Sequence, residues 1–216
     1  MFEIFASFKP SFDGFIFMWI LLFTAVFMVA ITVERYIYIF HKADTNAPKF
    51  MAEIRKLVKA GKYKDAIALC EAAKDRALPT VVNCGLTRVS GAEHIDFRAI
   101  QNSVDEGMLE VIPKLQERTT FLSMIGNVAT LIGLMGTIYG LILSFKSVSA
   151  PGIDATEKAR LLANGISTAM NTTLTGLAVA VPAIIAYTFL TNKTTKIIDE
   201  IDEHTVKLIN LITGDR

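Results

Sequence analysis

The sequence lacks the residues that would indicate a disulfide-bonded, zinc-binding or nucleic-acid-binding protein. It has only two cysteines in 216 residues, Cys70 and Cys84, with no histidine nearby at the spacing of a zinc site. A disulfide framework is therefore excluded, and we expect two buried free thiols. Basic and acidic residues number 22 and 21, which gives a net charge of +1 and no electrostatic footprint for nucleic acid.

Catalytic motifs are also missing from the chain. The G-x-S-x-G, H-E-x-x-H and Walker patterns do not occur, and we interpret His41, His94 and His204 as surface residues of soluble segments. We therefore expect no enzymatic activity, no metal site and no cofactor. A membrane enzyme is the weakest of the functional alternatives.

Apolar residues are what the sequence has in excess. They form 52% of the chain, and the mean hydropathy is +0.43. Charged residues are absent from three long segments, 15–33, 121–145 and 161–192. Because a helix of about 20 residues crosses about 30 Å of hydrocarbon, each segment predicts a membrane span. The predicted fold class is an all-α membrane protein in a lipid bilayer, with transmembrane helices over 15–40, 121–145 and 161–192.

The flanks of the first span predict its orientation. Residues 34–60 contain six basic residues and residues 1–14 only Lys9, so the N-terminus should lie outside and the C-terminus in the cytoplasm. Glu34 and Arg35, with Tyr36 and Tyr38, are expected to anchor the span at the interface. The alternative, a cleaved signal peptide, is disfavoured by the length of the apolar run. The remaining predicted segments are an external interfacial helix over 1–14, a cytoplasmic helical region over 41–120, an external loop over 146–160 and a cytoplasmic C-terminal helix over 193–216.

Helical periodicity continues in the soluble segments. Apolar residues repeat at helical spacing from Phe50 to Val58 and again from Tyr63 to Cys70, which predicts an antiparallel helix pair with Gly61 as a C-cap. From residue 97 onward the apolar positions run at the same spacing straight into the second span. We therefore predict one long helix over residues 97–145, in which Pro113 is the residue that would cause a kink.

The second and third spans each have a face of small and hydroxyl-bearing residues. Close helix packing explains most of the glycines, whereas the recurrence of hydroxyls on the same faces favours an ion path. On the second span these residues fall at offsets 0, 4, 7, 11, 14 and 18, namely Gly126, Thr130, Gly133, Thr137, Gly140 and Ser144. The band on the third span consists of Gly165, Ala169, Thr172, Thr173, Gly176, Ala180 and Ala183, and the polar residues Asn164, Ser167, Thr168 and Asn171 lie at its N-terminal end. The expected packing residues are Gly133, Gly136, Gly140, Gly176 and Pro182.

No Asp, Glu, Lys, Arg or His lies within the charge-free segments 15–33, 121–145 and 161–192 of the three spans. A proton relay ordinarily needs an ionisable group at membrane depth. If the hydroxyl-bearing faces line an ion path, the titrating carboxylate must come from another polypeptide. Otherwise the chain is not a conductor, and a passive membrane scaffold is the alternative.

The residues of both spans resemble a known family. Residues 131–140 read L-I-G-L-M-G-T-I-Y-G, which is similar to the L-x-G-L-x-G-T-V-x-G-M pattern of the MotA/TolQ/ExbB family. Residues 172–183 read T-T-L-T-G-L-A-V-A-V-P-A, which is similar to its T-T-x-x-G-L-x-V-A-I-P-A pattern. Residues 61–70 and 79–86 resemble its cytoplasmic region. Three spans with one large cytoplasmic insertion resemble ExbB and TolQ more than MotA.

The resemblance implies an ion-conducting motor subunit that uses the proton motive force in the inner membrane of a Gram-negative cell, with the external side facing the periplasm. It implies a homopentamer around a dimer of an ExbD- or TolR-like partner, each copy of which has one span and a membrane Asp that takes up and releases the ion. A TonB- or TolA-like protein would pass the work to a periplasmic or outer-membrane process such as TonB-dependent transport.

The resemblance also implies roles for individual threonines. Thr137 and Thr173 match the family's pore-facing threonines, and Thr172 and Thr168 extend the expected ion pathway. Many ExbB-type members carry Glu at the position of Thr168, so this chain lacks the usual acidic group. Neutral oxygens suit a hard cation, which makes sodium the alternative to protons, although protons are favoured.

Overall fold

The computed structural model describes residues 15–43, 45–91, 96–149 and 151–214. These residues form helices and no strand, which confirms the predicted all-helical fold. The external helix predicted over residues 1–14 lies outside the described residues. The helices are α1 (Phe15–Ile37), which continues as a π-helical segment (Tyr38–Ala43), α2 (Ala47–Lys59), α3 (Tyr63–Glu71), α4 (Ala77–Ser90), α5 (Phe97–Gln116), α6 (Thr119–Val148) and α7 (Ala155–Gly214).

Three helical segments are long and apolar enough to cross a membrane: Phe15–His41, Phe97–Val148 and Ala155–Gly214. The predicted number of candidate spans is therefore confirmed. The prediction of one continuous helix over residues 97–145 is wrong, because a turn at Glu117 and Arg118 separates α5 from α6. Arg118 has a left-handed backbone with φ of 59°, which a regular helix cannot contain. Pro113 lies inside α5 and does not end it.

The described residues group into two compact units. The first unit combines residues 15–33 with Arg118–Thr188, so it contains most of α1, all of α6 and the first part of α7. Leu21 of α1 is fully buried in a cluster with Ala129 of α6 and with Val179 and Ala180 of α7. These contacts hold three apolar helices together within one chain.

The second unit combines Glu34–Glu117 with residues 189–214. Within it α2 packs on α3, α3 on α4 and α4 on α5. The turn between α2 and α3 has Gly61 at φ of 72°, where the amide of Gly61 donates to Val58 O at 3.0 Å and that of Lys62 to Leu57 O at 2.9 Å. This is a Schellman motif, and it confirms the predicted helix end at Gly61.

Both cysteines lie in this second unit. Cys70 is buried and Cys84 half-buried, and neither forms a disulfide, so the predicted free thiols are confirmed, although Cys84 is more accessible than expected. Burial raises the pKa of the Cys70 thiol to about 12, and it raises the pKa of Cys84 as well. A raised pKa leaves little thiolate near neutral pH, so both thiols are weak nucleophiles.

Arg35 does not act as the predicted interfacial anchor, because its side chain is only 3% exposed. Its guanidinium lies 4.8 Å from the centre of the Tyr38 ring and donates hydrogen bonds to the carbonyl oxygens of Lys114, at 3.3 Å, and of Leu115. These carbonyls belong to the last turn of α5, which lacks helical partners for them. The buried guanidinium of Arg35 therefore donates hydrogen bonds to the last carbonyl groups of α5, in the region where a continuous helix was predicted.

We predict that Arg35→Ala destabilises the protein by about 1.5–3 kcal/mol, because it removes charge-assisted hydrogen bonds and leaves buried carbonyls without donors. Thermal unfolding of the detergent-solubilised protein measures this. The matched control is Arg88→Ala, which removes an exposed arginine from the last turn of α4. Equal unfolding temperatures for the two variants would contradict the role of Arg35.

Candidate functional site

Helices α6 and α7 approach each other so closely that backbone meets backbone. A Cβ atom added to Gly133 would lie 3.2 Å from the Cα of Gly176, and one added to Gly176 would lie 2.7 Å from Ala129 O. These neighbours are main-chain atoms, which cannot rotate away as a flexible side chain can. At positions 133 and 176, two of the predicted packing positions, the close approach of the backbones therefore requires glycine.

The same contact continues along α6 toward its C-terminal end. A Cβ on Gly136 would lie 2.7 Å from Thr172 Oγ1, and one on Gly140 would lie 3.1 Å from the Cβ of Ala169. Near the C-terminal end of α6, the side chain of Ser144 occupies the space that a Cβ on Gly165 would need. All four predicted packing glycines thus lie in one continuous contact.

The predicted polar face of α6 divides into a buried stripe and an open edge. Thr130 and Thr137 stand beside the stripe, where Thr130 is exposed and Thr137 half-buried. Ala129 and Gly136 occupy the buried positions that the offsets had given to these threonines. The buried stripe consists of Gly126, Ala129, Gly133, Gly136, Gly140 and Ser144.

Thr173 reaches across the helix contact from α7. Its hydroxyl is partly buried and donates a hydrogen bond to Gly133 O at 3.2 Å. The same carbonyl lies one helical turn before Thr137 on α6, because residues four apart stand above one another in a helix. The structure therefore brings the two principal predicted site residues, Thr137 and Thr173, to neighbouring turns.

The hydroxyl protons of both threonines are already used. Thr137 Oγ1 donates to Leu134 O of its own helix at 2.6 Å, as Thr173 Oγ1 donates to Gly133 O. A hydroxyl has one proton to donate and two lone pairs to accept with. Both side chains therefore offer lone pairs to any further partner, which suits a cation or the proton of a neutral acid.

The other predicted site residues are placed differently. Thr172 is only 1% exposed, lies against Gly136 and donates to Ala169 O at 2.7 Å, so within the chain it is part of the helix contact. Thr168 is half-buried one turn earlier on α7. Pro182 lies inside α7 and is exposed, and its role in helix packing stays a prediction.

No group of three or more histidine, cysteine, aspartate or glutamate side chains suitable for a metal occurs among the residues that the structure describes. A cavity of about 390 Å³ exists in the second unit, where it is lined by residues that include Lys74, Arg76, Lys114, Asp75 and Glu110. Its charges are of both signs. We call the surface of Thr137, Thr173 and Thr168 the threonine edge, and we take it as the candidate functional site because its polar groups lie between apolar helices that are long enough to cross a membrane.

Three long apolar helices, of which α6 and α7 meet through glycines beside uncharged threonine hydroxyls, define a helical membrane protein. A family model described as the MotA/TolQ/ExbB proton channel family matches residues 73–203. The chain therefore belongs to the MotA/TolQ/ExbB proton channel family. The match includes α6 and the threonines of α7, so the family assignment and the site rest on the same residues.

Curated relatives carry ExbB and TolQ names. The chain is 39% identical to biopolymer transport protein exbB1 of Vibrio cholerae over 42% of this chain and 38% of that protein. It is 36% identical to a putative ExbB-like 2 protein of Helicobacter pylori over 44% of this chain and 59% of that one, and 33% identical to TolQ of Pseudomonas aeruginosa over 43% and 41%. The matched regions thus span less than two thirds of these relatives.

A solved structure shares the fold. The structure of C. jejuni MotAB matches with a TM-score of 0.64 and covers 94% of this chain and 78% of the matched chain, at 18% identity. At this identity the likeness shows the fold alone.

We predict that Gly176→Ala destabilises the protein by about 1–3 kcal/mol, because the new methyl group meets the backbone of Ala129 and Gly133 and forces the helices apart. Thermal unfolding in detergent measures the change. Gly214→Ala is the matched control, since it makes the same substitution in the same helix with no atom within 4 Å of the new Cβ. A Gly176→Ala protein as stable as this control would contradict the close contact.

Proposed function

We propose that the chain is an ion-conducting motor subunit of the ExbB/TolQ type, driven by the proton motive force across the inner membrane of a Gram-negative cell. The supporting observation is the pair of hydroxyls at Thr137 and Thr173, which lie on neighbouring turns with their protons committed to backbone carbonyls. Their lone pairs then accept from a protonated carboxyl or coordinate a cation. Thr168 extends this edge along α7, while Thr172 keeps α6 and α7 in register.

The titrating acid belongs to a partner. The segments 15–33, 121–145 and 161–192 of the spans contain no Asp, Glu, Lys, Arg or His, and an unpaired charge at membrane depth costs several kcal/mol. An ExbD- or TolR-like protein with a single span would bring an aspartate to the threonine edge. The hydroxyls accept a hydrogen bond from this carboxyl and so stabilise its protonated form. The neutral carboxyl can then move along the threonine edge.

Five copies of the chain would enclose two partner helices. Large apolar side chains remain uncovered on the candidate spans, among them Leu131 and Ile142 of α6, which are 58% and 59% exposed. Lipid and neighbouring copies cover such side chains in a membrane assembly. In the proposed assembly the N-terminus faces the periplasm, and the second unit and the C-terminus lie in the cytoplasm. A TonB- or TolA-like protein receives the mechanical work.

Protons are the favoured ion, and sodium is the alternative because the lining is neutral and rich in oxygen. The energy is sufficient for mechanical work, since one charge moving through 100 mV releases about 2.3 kcal/mol. Transport across the outer membrane, such as TonB-dependent uptake, is the process that we propose it drives. A passive scaffold is the second candidate, supported by the glycine contact itself, which serves packing alone equally well.

We predict that Thr173→Val lowers partner-dependent ion flux at least about tenfold, because valine keeps the shape of threonine but has no lone pair to accept a hydrogen bond. Flux is measured in liposomes that contain the chain with its single-span partner, and Thr173→Ser should retain most of it. Thr188→Val is the matched control, since Thr188 is an exposed threonine of α7 bonded only to its own helix. Full flux in Thr173→Val would contradict the role of this hydroxyl, and an absence of partner-dependent flux through the unaltered chain would contradict conduction and favour the scaffold.

A further inference from the structure

One face of α5 is exposed and acidic around an uncovered leucine. Leu109 is 76% exposed, and its neighbours Asp105 and Glu106 are exposed as well. Glu110 pairs with Lys114 at 2.6 Å, so the unneutralised charge of this face lies on Asp105 and Glu106. Residues 99–113 contain three acidic residues and no basic one. We call the surface of Asp105, Glu106 and Leu109 the acidic face.

The turn between α2 and α3 has the opposite charge. Residues 54–64 contain five basic residues and no acidic one. Four of these are exposed lysines around the turn, and Leu57 and Tyr63 beside them are half-buried. We call this surface the basic turn; its lysines are Lys56, Lys59, Lys62 and Lys64.

The two surfaces belong to opposite ends of one series of helices. Helix α2 packs on α3, α3 on α4 and α4 on α5, so the basic turn belongs to the first pair and the acidic face to the last helix. A surface at one end that complements a different surface at the other end forms a head-to-tail contact between copies. Contacts of this kind generate closed rings when the rotation between copies is right.

We propose that the acidic face of one copy docks on the basic turn of the next copy, so that the cytoplasmic helices form a ring. The occupant of the acidic face is therefore a second copy of this chain. The lysine stems cover Leu109 while their ammonium groups meet Asp105 and Glu106. The inference rests on the proposed oligomer and adds to it the two surfaces through which neighbours meet.

Disulfide cross-linking tests the pairing directly. A chain with Leu109→Cys and Lys59→Cys is oxidised with copper phenanthroline in its native membranes. Because each copy then has both halves of the contact, the expected product is a ladder of covalent oligomers larger than dimers. Each single variant and the unaltered chain are controls, in which Cys70 and Cys84 react poorly because burial raises the pKa of both thiols.

The possible results distinguish a failure of the proposed pairing from a failure of the proposed oligomer. Dimers from Leu109→Cys alone that persist when Cys84 is replaced by serine would overturn the head-to-tail pairing, because they require two acidic faces to meet. An absence of cross-links in a protein whose mass is that of an oligomer would overturn the pairing and leave the proposed assembly intact. A monomeric mass in mild detergent would overturn both.

Charge reversal adds a test of the electrostatic basis. In the two-cysteine chain, Glu106→Lys and Lys62→Glu should each slow cross-linking at least about threefold, and the two together should restore it to within about twofold. Asp202→Lys, a reversal at an exposed acid of α7, is the matched control and should leave the rate unchanged. Equal rates in all variants would overturn the charge complementarity.

Discussion

The close approach of the α6 and α7 backbones at Gly133 and Gly176 is the constraint on which the first unit depends. No side chain fits between the helices there, so neither position 133 nor position 176 can carry a residue larger than glycine without a shift of the backbone. The contact also fixes the register that lets Thr173 donate to Gly133 O, one turn from Thr137. A packing requirement thereby sets the chemistry of the adjacent edge.

The hydroxyls of this edge are uncharged and act toward further partners as hydrogen-bond acceptors. Threonine hydroxyls inside apolar helices satisfy their own protons on nearby carbonyls, which leaves lone pairs as their only free capacity. Such an edge interacts favourably with a cation or a protonated acid and less well with a carboxylate. Because the segments 15–33, 121–145 and 161–192 contain no Asp, Glu, Lys, Arg or His, the proposed ion path requires that another chain supply the acid. The family membership, which covers the same residues, is consistent with this division of labour.

The sequence predicted the three apolar segments and the Gly61 helix end, because each depends on residue types with one dominant physical preference. It did not predict which residues of the polar face are buried. In a helix of 3.6 residues per turn, the positions three and four residues beyond a buried residue both lie close to its face, as Gly136 and Thr137 do beyond Gly133. The break at Arg118 has no compositional signal, because arginine seldom adopts a left-handed backbone. Arg35 was misassigned because a basic residue beside a span usually lies at the interface, whereas here the end of α5 binds it.

The central claim is that the hydroxyls of Thr137 and Thr173 face a path shared with a partner carboxyl. A structure of the complex purified with its single-span partner measures this most directly. The account predicts that Thr173 Oγ1 lies within about 3.5 Å of a carboxyl oxygen of the partner, or is joined to it by one ordered water. Both threonines facing lipid acyl chains, with the partner carboxyl bound elsewhere, would contradict it.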